Sequence, residues 1–126
     1  MSKYTFSPHE RLKSTKQISM IFEKGKMLKV FPIRFHYTIS ENKEHNGINV
    51  GFVVPKRNFK KAVDRNRHKR RMFEAVRLGR ERLMKKIEEQ NLHIDLMVVY
   101  IHREEGRFDF IEKAVKRGFE KLEKSL

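Results

Sequence analysis

From Ala62 to about Leu78 the chain runs without Pro or Gly, the two residues that most disfavour a helix interior. Wound at about 100° per residue, Ala62, Met72, Phe73 and Val76 fall on one side, and Arg67, Arg70, Arg71 and Glu74 on the other. Such a segment folds as an amphipathic helix with one packed stripe and one cationic face. Gly79 is the expected stop, with Arg77 in the last turn, where a cation suits the helix dipole. Arg65 and Lys69 project near the apolar stripe and Asn66 lies at its edge, so polar groups there must be paired or open onto a groove. The helix is therefore expected along the rim of a cleft, with Arg65, Asn66 and Lys69 pointing into it.

The flanking sequence says what this helix packs on. Upstream, a first helix is expected from Ser14, where Ser14 and Gln17 make a capping box. Ile18, Ile21 and Phe22 form its apolar stripe and Gly25 its stop. Met27 to Val30 reads as a short strand, broken at Phe31-Pro32. In the strand Ile33 to Ile39, residues Ile33, Phe35, Tyr37 and Ile39 share one face, and Arg34, His36 and Thr38 the other. Glu41 to Gly47 reads as a hairpin loop, with Asn46-Gly47 as the turn signal. Ile48 to Val54 is the next strand, ended by Pro55.

Downstream, Glu81 to Gln90 either extends the basic helix past Gly79 or forms a turn of its own. Ile94 to Ile101 is an almost unbroken apolar run, as expected of a strand covered on both faces. Arg103 to Arg107 is a charged loop. The last helix is expected to start at Asp109, capped with Glu112, and to bury Ile111, Val115, Phe119 and Leu122. Residues 1–13 read as an arm. The order α-β-β-β-α-β-α makes residues 1–126 a single domain of two-layer α/β (α+β) sandwich type. It has a small mixed sheet, with the basic helix as the crossover between the third and fourth strands.

Charge narrows the partners. Lys56 to Arg71 holds nine Lys or Arg residues and one acid, Asp64, and its net +8 is more than half of the chain's +14. With a pI near 10.2, the expected partners are polyanions: RNA, DNA or an anionic membrane surface. A membrane surface is disfavoured, because the apolar side of the basic helix is needed to cover the sheet. Major-groove DNA reading is disfavoured too, because a strand and Pro55 stand where a helix-turn-helix needs its first helix. There is no Cys, so thiolate chemistry is excluded. The six His are scattered without metal spacing. No catalytic side chain and no metal ligand is assigned. The N-terminus lacks the apolar core of a signal peptide and the longest apolar run is too short to span a bilayer, so a cytoplasmic protein is expected.

A single-stranded nucleic acid asks for aromatic faces beside a cationic groove. Phe22, Phe35 and Tyr37 could supply them, with Ile18 one turn before Phe22. Aromatic stripes on strands are commonly core, and the residues alone leave both readings open.

The run AVDRNRHKRRMFEAVR, Ala62 to Arg77, preceded by the strand GFVVPKR at Gly51 to Arg57, resembles the signature of the protein subunit of bacterial ribonuclease P. That family carries Arg-Asn-Arg and further cations on a helix entered from a Gly-Phe-x-Val strand. RLK at residues 11–13, followed by a short helix with Phe22 and Gly25, fits the family's N-terminal pattern. Three departures stand out: Pro55 where Ser is frequent, Asn58-Phe59-Lys60-Lys61 where a glycine is frequent, and His68 where an aliphatic residue is common. The resemblance implies a protein that supplies no catalytic groups. A catalytic RNA subunit with bound Mg²⁺ would remove the 5′ leader of precursor tRNA, one protein serving each RNA. Leader binding would then fall to Ile18, Phe22, Phe35, Tyr37, Val53 and Lys56. RNA-subunit binding would fall to Arg65, Asn66, Arg67, Lys69, Arg70 and Arg71. Among these, Arg65, Asn66 and Lys69 would flank the leader, while Arg67, Arg70 and Arg71 face the structured RNA. A ribosomal or other non-catalytic structured-RNA-binding protein is the alternative.

Overall fold

The computed structural model describes residues 15–42 and 46–126. The elements are α1 (Thr15–Lys24), β1 (Lys26–Val30), β2 (Ile33–Glu41), β3 (Gly47–Val53), α2 (Ala62–Gly79), α3 (Glu81–Glu89), β4 (Leu92–Tyr100) and α4 (Phe108–Ser125). The expected order holds, and Glu81 to Glu89 forms a helix of its own rather than lengthening α2. The sheet runs β1-β2-β4-β3. β1 with β2 and β2 with β4 pair antiparallel, and β3 with β4 pairs parallel. The basic helix therefore lies in the crossover from β3 to β4, as expected.

The hairpin expected between β2 and β3 does not form. β4 stands between them, pairing Phe35 with Val98 on one side and Phe52 with Val98 on the other. The reason lies in the composition of β4. Its residues Leu96 to Tyr100 are all buried, and so apolar a strand gains most from the centre of a sheet. Asn46-Gly47 still punctuates the chain: Gly47 has φ 142°, a value glycine adopts at little cost.

One face of the sheet carries the main core. Ile33, Phe35 and Tyr37 of β2, Ile48 and Val50 of β3, and Ile94, Leu96, Val98 and Tyr100 of β4 meet α2, α3 and α4 there. The α4 stripe is as expected, with Ile111, Val115, Phe119 and Leu122 all buried. Its capping box does not form. α4 begins at Phe108 with Arg107 as N-cap and no side-chain cap bond. Asp109 instead sits in the first turn, where its charge suits the dipole. The N-terminal box of α1 rests on Ser14, outside the described residues.

In α2 the packed stripe is His68, Met72, Ala75 and Val76. Met72 and Val76 are as expected; Ala62 is exposed. The stripe is completed by His68, which is buried where Ala62 is not. That imidazole stacks on Phe59 at 4.4 Å and lies 4.7 Å from Tyr100. Its Nε2 accepts the Gly106 N–H at 3.0 Å, and its Nδ1 lies 2.8 Å from the Asp64 carbonyl oxygen. Since an N–H can only donate, Nε2 carries no proton, and the ring proton is on Nδ1. Among the described residues, no helix is long and apolar enough to cross a membrane.

Candidate nucleic-acid interface

The cationic face of α2 splits into two sets. Asn66, Lys69 and Arg70 are exposed. Arg65, Arg67 and Arg71 are engaged within the fold. Arg65 does not point into a cleft: its Nη1 donates to the carbonyls of Phe59 and Lys60, each at 2.8 Å. These bonds close the loop that leads into the helix. Arg67 and Arg71 both reach Glu105, at 3.0 and 3.4 Å, and Arg71 also donates to the Gly106 carbonyl at 2.6 Å. The Arg67 hydrogen bond holds the Glu105 carboxyl below the usual carboxylate range. Lys56, before the helix, is exposed.

The loop from Ile101 to Arg107 is thus fastened to α2 by two guanidinium groups and by His68. Tyr100 adds a fourth tie, its hydroxyl donating to the Glu104 carbonyl at 2.7 Å. Gly106 permits this closeness, because a Cβ there would collide with the Tyr100 hydroxyl. Sequence reasoning noted His68 at a position where an aliphatic residue is common in the family, but gave it no role. Its position, one turn before Met72 on the buried stripe, is the signal that could have found it.

Phe35 and Tyr37 are not exposed stacking faces. Phe35 is fully buried and Tyr37 is 6% exposed, both on the helix-covered side of the sheet. The Phe35 ring stacks on Phe119 of α4 with centroids 5.5 Å apart. The correction follows from strand parity. Three helices cover the Phe35 face, so the alternating set Arg34, His36 and Thr38 faces the other way.

That second face is only partly covered. Ile21 of α1 is buried on it, together with Met97 and Val99 of β4, apart from the main core. Phe22, 42% exposed, lies beside this contact with its ring 4.6 Å from His36. Ile18 and Val53 are half-buried. Arg34 donates through Nε to His36 Nε2 at 2.8 Å. Burial, and then the Arg34 charge, push the His36 pKa down. Further along, Asn49 Nδ2 donates to Asp95 Oδ1 at 3.1 Å, and His93 lies 2.9 Å from the same oxygen.

At the end of the sheet from which α2 departs, a groove of about 290 Å³ is lined by Lys29, Arg34, Arg57 and Arg103, together with Asn58. Asn58 is held there by a 2.9 Å bond from Nδ2 to the Tyr100 carbonyl. The sequence reading did not single out these cations. Arg34 was legible once the covered face of β2 was known; the others come from separate loops and strands that only folding gathers. Four cations around a groove, with an exposed aromatic ring on the same face, suit a phosphate backbone with an unstacked base. Among the described residues, no group of three His, Asp or Glu side chains could hold a metal ion.

Comparison with known proteins follows the same line. Over 115 residues the chain is 28% identical to a ribonuclease P protein component of Porphyromonas gingivalis, covering 91% of this chain and 84% of the relative. It is 34% identical over 101 residues to that of Chlorobium phaeobacteroides, covering 74% and 69%. Its fold is similar to that of the Staphylococcus aureus RNase P protein, with TM-score 0.70, 19% identity and coverage of 90% and 94%. The RNase P protein from Thermotoga maritima gives TM-score 0.53 at 22% identity, over 93% and 97%. Residues 6–123 match the sequence model of the family described as Ribonuclease P, and the chain therefore belongs to the ribonuclease P protein family.

Proposed function

We propose that this protein is the RNA-binding subunit of a ribonuclease P ribonucleoprotein. In this reading it binds the catalytic RNA through α2 and holds the single-stranded 5′ leader of precursor tRNA on the open face of the sheet. Leader removal would then proceed with Mg²⁺ bound mainly by the RNA, one protein serving each RNA subunit. The protein's own groups bind and orient. Asn66, Lys69 and Arg70 offer free donors to phosphates, and Arg67 and Arg71 offer planar forks for bidentate contacts. Phe22 offers a ring face to a leader base, with Ile18 and Val53 as apolar floor. Arg34, Arg57 and Lys56 neutralise the leader's phosphates. Phe35 and Tyr37 support this surface from behind, as core.

The observation that carries the reading is the half-covered sheet face, where Phe22 packs on His36 beside a groove lined by four cations. The test is cleavage of a 5′-extended precursor tRNA by a bacterial ribonuclease P RNA at low Mg²⁺, with and without the protein. Marked stimulation, with cut ends at the mature 5′ terminus, is expected. RNA binding without stimulation would move the reading to a non-catalytic structured-RNA-binding protein. Phe22→Ala is expected to cost about 1–3 kcal/mol in binding leader-bearing tRNA and little in binding mature tRNA. Equal losses on both would remove Phe22 from the leader.

A further inference from the structure

A second aromatic and cationic groove lies at the β1 edge of the sheet, and no role assigned above uses it. It runs between the edge strand β1 and α4, holds about 450 Å³, and includes Phe31, Phe110, Lys113, Lys116 and Arg117 in its lining. Phe31 and Phe110 are 51% and 41% exposed, with ring centroids 6.2 Å apart. His102 extends the set, edge-on to Phe31 at 4.9 Å. The neighbours Lys29 and Val30 of β1 line different grooves, Lys29 the cationic groove of the open face and Val30 this one. α4 stands between this groove and α2, so a ligand seated here leaves the basic face of α2 free.

Two large exposed aromatic rings side by side are costly surface without a ligand. The charge around them selects its kind. Lys113, Lys116 and Arg117 face the groove against one acid, Glu120, so an anionic chain is favoured. A second copy of this protein, itself strongly cationic, is disfavoured, and exposed Lys26 and Lys29 on β1 discourage strand addition at that edge. Aromatic faces flanked by Lys and Arg on one helix are the elements of a single-strand site, where bases stack and phosphates meet the cations. We propose that the Phe31–Phe110 groove binds unstacked bases of a single-stranded RNA segment, as a site separate from the open sheet face and from α2.

The test uses the full chain and tetraadenylate as probe, followed through the ring resonances of Phe31 and Phe110 in nuclear magnetic resonance. Both rings are expected to shift on titration. Phe110→Ala is expected to weaken the midpoint read at Phe31 at least about fivefold. Leu78→Ala, which removes an exposed apolar side chain on α2 that does not line the groove, is expected to leave that midpoint in place. Thermal unfolding of each variant checks that the fold is kept, and Lys113→Ala with Arg117→Ala is expected to lower the salt dependence. Rings that stay unshifted at saturating tetraadenylate would overturn the site. Equal shifts with polyglutamate or polyphosphate would overturn base stacking in favour of a general anion surface. Loss of the midpoint in Leu78→Ala would do the same to its location. Each result is independent of the precursor-tRNA assay.

Discussion

Tyr100 sits where β4 leaves the sheet, its ring between Phe59, His68 and His102 and its hydroxyl on the Glu104 carbonyl. Burial pushes its pKa up from 10.0 to about 12. A phenol whose folded pKa is raised adds stability that is whole below the unfolded value and lost as pH climbs through the folded one. The protein is therefore expected to lose stability steeply between about pH 10 and 12. Tyr100→Phe should remove that share of the loss, at a cost near neutral pH of about 1 kcal/mol for the hydroxyl bond. Urea unfolding of both proteins across that range measures the two together; parallel curves would mean that other groups govern the alkaline limit. Individual residues were the least legible part of the sequence. Alternation in β2 separated Arg34 and His36 from Phe35 and Tyr37, yet could not say which set water sees. That depends on where three distant helices land.

The helix stripes, by contrast, were readable, because a period of about 3.6 residues is a local property. The α4 stripe and Met72 and Val76 of α2 were legible for that reason, and the run in β4 announced a strand covered on both faces. What was hidden was β4's insertion between β2 and β3, since pairing partners are chosen by the whole sheet rather than by the turn between two strands. Helix–sheet contact is tight where α4 crosses β2: a Cβ on Gly118 would collide with the Phe35 ring. Gly118→Ala is expected to destabilise by about 1–3 kcal/mol through overpacking, despite alanine's better helix propensity. A gain in denaturant midpoint would show that Phe35 moves aside freely. The loop fastened to α2 yields a further expectation. Glu105 occupies Arg67 and Arg71 in the free protein, so Glu105→Gln should strengthen binding to the RNA subunit at low salt. Replacing Arg67 and Arg71 with Ala should weaken it and flatten its salt dependence, by about one unit of slope per lost phosphate contact. An unchanged slope would take both guanidinium groups out of the interface.

For the molecule as a whole, a net charge of +14 on 126 residues makes folding itself sensitive to counter-ions, because like charges crowd together on compaction. Thermal midpoint is expected to rise with added RNA, as binding to the folded form draws the equilibrium its way. A fragment lacking β4 should show no such rise, having lost the strand that joins β3 to the rest of the sheet. The position of β4 also sets a schedule. The strand at the centre of the pairing, between β2 and β3, is built from residues 92–100, later in the chain than the basic helix. A ribosome making this chain therefore releases the cationic segment 56–71 well before the sheet beneath it can close. During that interval segment 56–71, with its net charge of +8, meets the polyanions around it before the sheet beneath it has closed. Completion of β4 is the event that turns a sticky peptide into a shaped surface.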